Sequence, residues 1–139
     1  MRILILEQNI QLGERLFAAL RDEDWSLDWT NSKDSAKQSL IRDDISLMVL
    51  DMSSESTPSA RAESLRKLCE IRRDTPVVLI VEDENDSEQL HTCADLVSEQ
   101  PVDMERVKSD IRMLLAQRVS KANGRAIQNE GRQPLEGLT

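Results

Sequence analysis

The sequence predicts an α/β fold with three layers, in which helices cover both faces of a five-stranded parallel sheet. Short apolar runs alternate along the chain with segments of helical periodicity, as in successive βαβ units. The run at 77–81 is apolar at every position, which suits a strand that is covered on both faces. A length of 139 residues is sufficient for one such domain with a single core.

The elements follow from the spacing of apolar residues along the chain. Strands are predicted at 2–6, 26–29, 46–50, 77–81 and 95–98. Helices are predicted at 9–22, 32–43, 60–73, 85–93 and 103–119, with a polar loop containing Pro58 at 52–59. The helix side chains expected to face the core are Leu12, Leu16, Phe17, Leu20, Ala36, Leu40, Ile41, Leu65, Leu68, Cys69, Met104, Val107, Ile111, Leu114 and Leu115. Strands and helices thus alternate throughout, as a parallel sheet requires.

Composition argues against several classes of function. The net charge of −8 disfavours nucleic-acid binding by this chain alone, because phosphate contacts need clustered Lys and Arg. No apolar run is long enough to act as a signal peptide or to span a membrane. Cys69 and Cys93 lack CxxC or histidine spacing, so we expect both to pack in the core and to form neither a disulfide nor a metal site. We expect a cytoplasmic protein of bacterial type.

Residues 120–139 differ from the rest of the chain in composition. Three of the four glycines lie there, together with Pro134 and few apolar residues. This is the composition of a linker. We therefore expect one domain over residues 1–119, followed by a flexible linker over 120–139 that leads to an output domain in a longer protein.

Acidic residues follow three of the predicted strands. Glu7 and Asp51 come directly after the first and third strands, and Glu82 comes after the fourth. The carboxyl ends of parallel strands meet at one edge of the sheet, where ligands of open α/β folds bind. We therefore expect Glu7 and Asp51 to lie in one site, although Asp51 taken alone could also cap the loop that follows it.

Several segments carry a family likeness. They are MRILILE at the start, LGERLFAAL followed by LDW, PVVLIV, and Ala94-Asp95 with Gln100-Pro101-Val102-Asp103. Together with the acidic strand ends, they make the chain resemble the receiver domain of bacterial response regulators, the CheY-like family, over residues 1–119. The first part of the chain is most similar to receivers of the winged-helix group. The resemblance implies a flavodoxin-like fold with strand order 2-1-3-4-5 and a site near the switch between strands one and three.

The resemblance assigns roles to the residues at the strand ends. In receivers an acidic pair holds Mg²⁺, an Asp takes a phosphoryl group, a Thr or Ser ends strand four, and a Lys precedes a Pro. Asp51 matches the phosphoacceptor and Glu7 the first acidic residue, so these two are the implied metal ligands. Gln8, Val81 and Gln100 stand at the second acidic, hydroxyl and Lys positions, and none supplies the charge or hydroxyl of the family residue. We expect a vestigial pocket with weak or absent Mg²⁺ binding and no other cofactor.

Other positions also depart from the family pattern. Val97 stands where receivers carry an aromatic switch residue, and Cys93 and Ser59 stand at usual glycines. Glu82 is included in the vestigial pocket, where it would compensate for the lost carboxylate if it pointed inward. His91 has no partner at metal or triad spacing, so we expect an ordinary helix residue.

The leading hypothesis is a pseudo-receiver, a regulatory domain at the N-terminus of a bacterial transcription regulator. It would act by protein–protein interaction or dimerisation without ordinary phosphorylation, and we expect no enzymatic activity and no catalytic residue. The alternative is a phosphorylatable receiver of two-component signalling with Asp51 as phosphoacceptor. A flavodoxin-like cofactor binder is disfavoured, because no phosphate loop rich in Ser, Thr or Gly follows the first strand.

Helix 103–119 is the expected interface of a homodimer. Arg106, Lys108 and Arg112 make it basic beside an acidic body, and segment 82–88 of a second copy offers the acidic complement. Exposed ion pairs contribute little, so the interface needs apolar contacts as well. Contact with DNA is expected only through the output domain, either a sigma-54-dependent AAA+ module or a winged helix, and no contact with a membrane is expected.

Overall fold

The computed structural model describes residues 1–82 and 93–118. Five strands in this part of the chain form one parallel sheet in the order β2-β1-β3-β4-β5. Their bounds are β1 Arg2–Leu6, β2 Ser26–Thr30, β3 Leu47–Asp51, β4 Val77–Val81 and β5 Leu96–Glu99. The predicted parallel sheet and its strand order are confirmed. β3 extends one residue beyond the predicted end at residue 50, so Asp51 is the last residue of the strand.

Helices connect the strands. Those within the described residues are α1 Ile10–Leu20, α2 Lys33–Arg42, α3 Pro58–Ile71 and α4, residues 104–118. Asn9 and Ser32 cap α1 and α2, because their side chains accept hydrogen bonds from the backbone of the first turn at 3.1 and 3.3 Å. The placement of Pro58 in a loop is wrong. Thr57 caps α3 and Pro58 takes the first helical position, where the missing amide proton costs nothing.

The two faces of the sheet bury separate sets of side chains. Ile3 and Ile5 of β1 point toward α1 and α4, whereas Leu4 and Leu6 point toward α2 and α3. Every residue of β3 and β4 is buried. These strands are therefore covered on both sides, which is why their sequences are apolar without alternation.

The predicted helix stripes are mostly confirmed, with two errors. Leu12, Leu16 and Leu20 of α1 are buried, but Phe17 is 36% exposed. Ile41 of α2 is 67% exposed. Both errors have one cause: each residue directly follows a buried leucine, and one step along a helix turns the side chain by about 100° away from the sheet.

Some predictions fall on residues that the structure does not describe. These are most of the helix at 85–93 with His91, the acidic segment beyond Glu82, and the linker at 120–139. Within residues 1–82 and 93–118, no helix combines the length and the apolar character needed to cross a membrane.

Candidate functional site

Two buried carboxyl groups meet at the carboxyl edge of the sheet. β1 and β3 are neighbours with Leu6 paired to Leu50, so Glu7 and Asp51 follow at the same level. Glu7 is 1% exposed and Asp51 is 5% exposed, and their carboxyl groups are close enough for Asp51 to raise the pKa of Glu7. We call these two residues the acid pair. The structure thus brings together the two acidic residues that the strand ends single out.

Glu7 is fixed on three sides by groups close to the sheet. Its Oε1 accepts a hydrogen bond from the backbone amide of Asn9 at 3.0 Å. Its backbone amide donates to the carbonyl of Thr30 at 3.0 Å, and its own carbonyl accepts from Nε1 of Trp29 at 3.1 Å. Glu7 Oε2 is buried, and the described residues supply no donor to it. This oxygen therefore needs a proton or a cation.

A glycine lets Trp29 reach Glu7. A Cβ atom at Gly13 of α1 would lie 2.1 Å from Cζ2 of the Trp29 indole, far inside van der Waals contact. The ring therefore lies directly on the backbone of α1, with its nitrogen on the Glu7 carbonyl. The contact between Trp29 and Gly13 was not predicted from the sequence. Neither residue carries a local motif that announces this contact.

The acid pair holds a proton at neutral pH. Burial, followed by the interaction with the Asp51 side chain and repulsion from its charge, raises the pKa of Glu7 to about 8. The backbone amide of Asn9 opposes this shift without reversing it. A proton on Oε2 removes one of two adjacent buried charges and gives the oxygen a partner in Asp51. The arrangement is that of two carboxyl groups that share one proton.

Asp51 is bound by the residue two positions after it. Its Oδ1 accepts from the backbone amide of Ser53 at 2.8 Å and from the Ser53 hydroxyl at 2.5 Å. Sequence reasoning missed Ser53. The available signal was the spacing Asp-x-Ser, which is typical of a turn in which the Asp side chain accepts from the backbone two residues on.

The remaining predicted pocket residues differ in exposure. Gln8 is exposed directly beside Glu7, and Glu82 is exposed rather than buried in the site. Val81 is buried within the cluster beneath α2 and α3. Gln100 is half-buried, and its backbone amide donates to the Val81 carbonyl at 2.9 Å, just before a cis peptide bond to Pro101. The ends of β4 and β5 are thus joined beside the acid pair.

Lys33, at the same edge of the sheet, forms an ion pair with a different acid, Glu55. Lys33 Nζ contacts Glu55 Oε1 and lies 3.3 Å from the hydroxyl of Ser64, which itself donates to Glu55 at 3.0 Å. Hydrogen bonding to Lys33 lowers the pKa of Glu55. Among the ion pairs formed within the described part of the chain, none includes Glu7 or Asp51.

The donor set only partly suits Mg²⁺. Magnesium takes one or two carboxylates and completes an octahedron with water or substrate oxygens. The acid pair offers two carboxyl groups, and the oxygen without a donor marks where a cation would bind. That cation must displace the proton of Glu7. No cluster of three or more metal-binding side chains exists within residues 1–82 and 93–118.

Two of the other departures from the receiver pattern are structurally ordinary. Val97 lies in β5 beside Leu79 of β4 and packs against the cluster beneath α2 and α3. Ser59 is exposed in the first turn of α3. Neither side chain forms a hydrogen bond with the acid pair.

Comparison with known proteins places this geometry in context. No protein-family model matches the chain. It is 27% identical over 136 residues to the response regulator protein PmrA of Pseudomonas aeruginosa, covering 94% of this chain and 59% of that protein. The chain therefore spans little more than half the length of this relative.

Solved structures give the clearest likeness. A CheY-like receiver domain protein from Methanospirillum hungatei JF-1 superposes with a TM-score of 0.76 at 16% identity, over 86% of this chain and 97% of that one. The signal receiver domain of a putative LuxO repressor protein from Vibrio parahaemolyticus gives 0.75 at 18% identity, over 87% and 94%. This chain has the fold of the response-regulator receiver domains.

Proposed function

We propose that this chain is a pseudo-receiver, a regulatory domain of a bacterial transcription regulator that works without ordinary phosphorylation of Asp51. One observation carries the proposal. The acid pair is buried and Ser53 donates twice to Asp51, while an apolar side chain and neutral amides stand at the positions where receivers keep a hydroxyl, a Lys and a second acid.

Phosphoryl transfer to Asp51 would need charges that these residues do not supply. The transferring group carries negative charge on its outer oxygens, which receivers neutralise with Mg²⁺ and a Lys. Val81 cannot donate a hydrogen bond, and Gln100 carries no charge. Ser53 occupies Oδ1 of Asp51 with two donors, which lowers the reactivity of that oxygen as a nucleophile.

The test is incubation with acetyl phosphate and Mg²⁺, read by intact mass. The wild-type chain should gain no phosphoryl group in stoichiometric amount. A variant with Gln8→Asp, Val81→Thr and Gln100→Lys restores the three groups and should gain one. Adding Asp51→Asn to that variant should abolish the adduct, which assigns it to Asp51.

The opposite result identifies the second candidate function. A ready adduct on the wild-type chain would overturn the pseudo-receiver proposal and make the chain a phosphorylatable receiver of two-component signalling. The contact between Glu7 and Asp51 favours that candidate, because it keeps two metal-binding groups together.

Weak Mg²⁺ binding is part of the same proposal. Calorimetry at neutral pH should give weak binding to the wild-type chain. Gln8→Asp should increase the affinity more than about tenfold, if the restored charge is worth over about 1.4 kcal/mol. Gln11→Asp, at an exposed position in the first turn of α1, is the matched control and should leave the affinity unchanged.

We further propose a homodimer that forms through α4 without phosphate. Arg106 is exposed on this helix, and Met113 adds an apolar contact with 44% of its surface exposed. Arg112 contributes less than its charge suggests, since it already contacts Glu23 within the same chain. Residues 83–88 of the acidic complement lie outside the described residues.

Sedimentation at tens of micromolar, without Mg²⁺ or phosphate analogues, tests the dimer. Met113→Glu should shift the chain toward monomer, whereas Ile41→Glu, at an exposed apolar residue of α2, should not. A wild-type chain that remains a monomer, with or without its continuation into an output domain, would contradict the proposal.

The setting of the domain is part of the same proposal. The chain spans 59% of PmrA, and a protein of that length has room for an output domain as well. We propose that such a domain, an AAA+ module or a winged helix, carries the contact with DNA in the cytoplasm. The domain described by these residues would then regulate and would not catalyse.

A further inference from the structure

The two cysteines of the chain lie together, far apart though they are in sequence. Cys69 is near the end of α3, and Cys93 lies just before β5. Their side chains are neighbours on one cavity, close enough for Cys93 to raise the pKa of Cys69. We call them the thiol pair. The expectation that both pack against the core is confirmed.

Both thiols are carried by well-anchored backbone. Asp95, two residues after Cys93, is bonded to the start of β4 twice: its amide donates to the Val77 carbonyl at 2.9 Å, and its Oδ2 accepts from the Val77 amide at 2.8 Å. Cys69 follows Leu68, which is fully buried. The contact between the sulfurs is therefore set by two fixed elements and not by chance loop positions.

The thiol pair is also accessible. Both cysteines line an open cavity of about 380 Å³, together with Arg66, Arg73 and Asp95. This space admits a small oxidant or the end of a peptide disulfide. The cavity lies at the amino edge of the sheet, because α3 runs back from the carboxyl edge and both β4 and β5 begin there.

We propose that Cys69 and Cys93 form a reversible intramolecular disulfide, which makes the thiol pair a redox-modification site. It lies at the opposite edge of the sheet from the acid pair and does not depend on the pseudo-receiver proposal. The bond would tie the last turn of α3 to the segment that enters β5. The oxidants that suit this site are a peroxide and a disulfide of the glutathione class.

The chemistry with hydrogen peroxide balances in two steps. The Cys93 thiolate attacks one peroxide oxygen, so that an S–O bond forms, the O–O bond breaks, and hydroxide leaves and is protonated to water. The Cys69 sulfur then attacks the Cys93 sulfur. The S–S bond forms, the S–O bond breaks, and the second hydroxide leaves as water with the proton of Cys69. The peroxide is reduced to two waters while two thiols are oxidised to one disulfide.

The order of these steps follows from the surroundings of Cys69. Burial, together with the neighbouring Cys93 and Asp95, raises the pKa of the Cys69 thiol to about 12. Cys69 is therefore protonated at neutral pH and is too weak a nucleophile to attack the oxidant itself. Cys93 is the sulfur that meets the oxidant first.

The experiment is an equilibrium measurement on the wild-type chain in glutathione redox buffers, folded and in urea. After rapid acid quenching and alkylation, peptide mapping without reductant counts the Cys69–Cys93 link. The equilibrium constant for the disulfide should be at least about tenfold larger in the folded chain, which corresponds to a reduction potential lower by about 30 mV. Prior contact of the sulfurs is the reason, because it raises their effective concentration.

Two outcomes would overturn the proposal. One is a folded constant no larger than the constant in urea, and the other is oxidation that links only separate chains. Cys93→Ser is the control for protection by burial alone. After peroxide treatment, Cys69 of that variant should still react with the alkylating agent in urea, whereas in the wild-type chain it should not.

Discussion

The two edges of the sheet each hold a pair of like groups, and the pairs differ in what neutral pH does to them. At the carboxyl edge, Glu7 and Asp51 are acids that would both be charged in water. At the amino edge, Cys69 and Cys93 are thiols, which are mostly neutral in water at the same pH. Burial raises the pKa of one member of each pair, to about 8 for Glu7 and to about 12 for Cys69.

The same physical effect therefore has opposite consequences. For the acid pair, the shift crosses neutral pH, so folding traps a proton and costs stability. For the thiol pair, the shift moves further from neutral pH and costs nothing there. A buried pair that costs stability at working pH is the better candidate for a functional remnant. The thiol pair has no such cost at neutral pH, and the function proposed for it is covalent chemistry.

The largest effect is expected from a substitution that breaks the acid pair, Glu7→Gln. The folded-state pKa of Glu7 is raised from 4.5 to about 8, so its stability contribution is fully present below pH 4.5 and is lost as pH rises toward 8. Glu7→Gln removes the proton-binding site. We expect this variant to be about 3 kcal/mol more stable than wild type at pH 7, with no such gain below pH 4.5. Urea unfolding at the two pH values, without divalent cations, measures both.

The matched control for this variant is Glu14→Gln, at an exposed position of α1. It should change stability by less than about 0.5 kcal/mol at either pH. A Glu7→Gln chain that is less stable than wild type at pH 7 would show that the charged form of Glu7 is the stabilising one.

The second largest effect is expected from a substitution that displaces Trp29 at the carboxyl edge. Gly13→Ala places a methyl group where the Trp29 ring lies. Overpacking costs about 1–3 kcal/mol, and the gain in helix propensity offsets at most about 1 kcal/mol, so we expect a net loss of about 1–2 kcal/mol. Urea unfolding gives the value. In a Trp29→Leu background the same substitution should be neutral or stabilising, and an unchanged loss there would exclude the steric cause.

The third prediction concerns the thiol pair at the amino edge and the dependence of stability on pH in alkaline solution. The pKa of Cys69 is raised from 9.0 to about 12, so stability falls as pH rises above 9. Cys69→Ser lacks this dependence. Relative to its difference from wild type at pH 8, the variant should gain about 1 kcal/mol at pH 10 in the presence of reductant. If the stability difference between Cys69→Ser and wild type were the same at pH 8 and pH 10, a raised pKa of Cys69 would be contradicted.

The smallest effect concerns the ion pair of Lys33 and Glu55, whose lysine is 40% exposed. The pKa of Glu55 is lowered, so the stability it contributes is present above 4.5 and is lost as pH falls through the folded-state value. Exposure and salt limit the coupling to about 0.2–1 kcal/mol. A double-mutant cycle with Lys33→Met and Glu55→Gln should show it at pH 7. Coupling that persists in strong acid would contradict an ionic origin.

The sequence predicts the sheet well because the central strands are buried on both faces. Such strands leave uninterrupted apolar runs, and 2–6 and 77–81 match β1 and β4 residue for residue. The acid pair was also predictable, because parallel strands end at a common edge. Helix faces were less certain, since a stripe read from apolar residues alone is too wide and takes in Phe17 and Ile41.

The contacts that sequence reasoning missed depend on how distant segments meet. The proximity of Cys69 and Cys93 depends on the length of α3, the turn at Thr75 and the entry to β5 together. The contact between Trp29 and Gly13 depends on the tilt of α1 over the edge strand. Neither is encoded in local spacing, whereas the turn formed by Asp51 and Ser53 is.

The position of Trp29 has an optical consequence. Its indole N–H donates a hydrogen bond to the backbone carbonyl of Glu7, the residue whose carboxyl group has the raised pKa. Trp25, the other indole of the chain, packs against the same face of the sheet but has no recorded bond to the acid pair. One chromophore thus lies beside the titrating group and the other serves as an internal reference. The protonation state of a completely hidden carboxyl is thereby connected to a signal that can be read from outside the molecule, without a label.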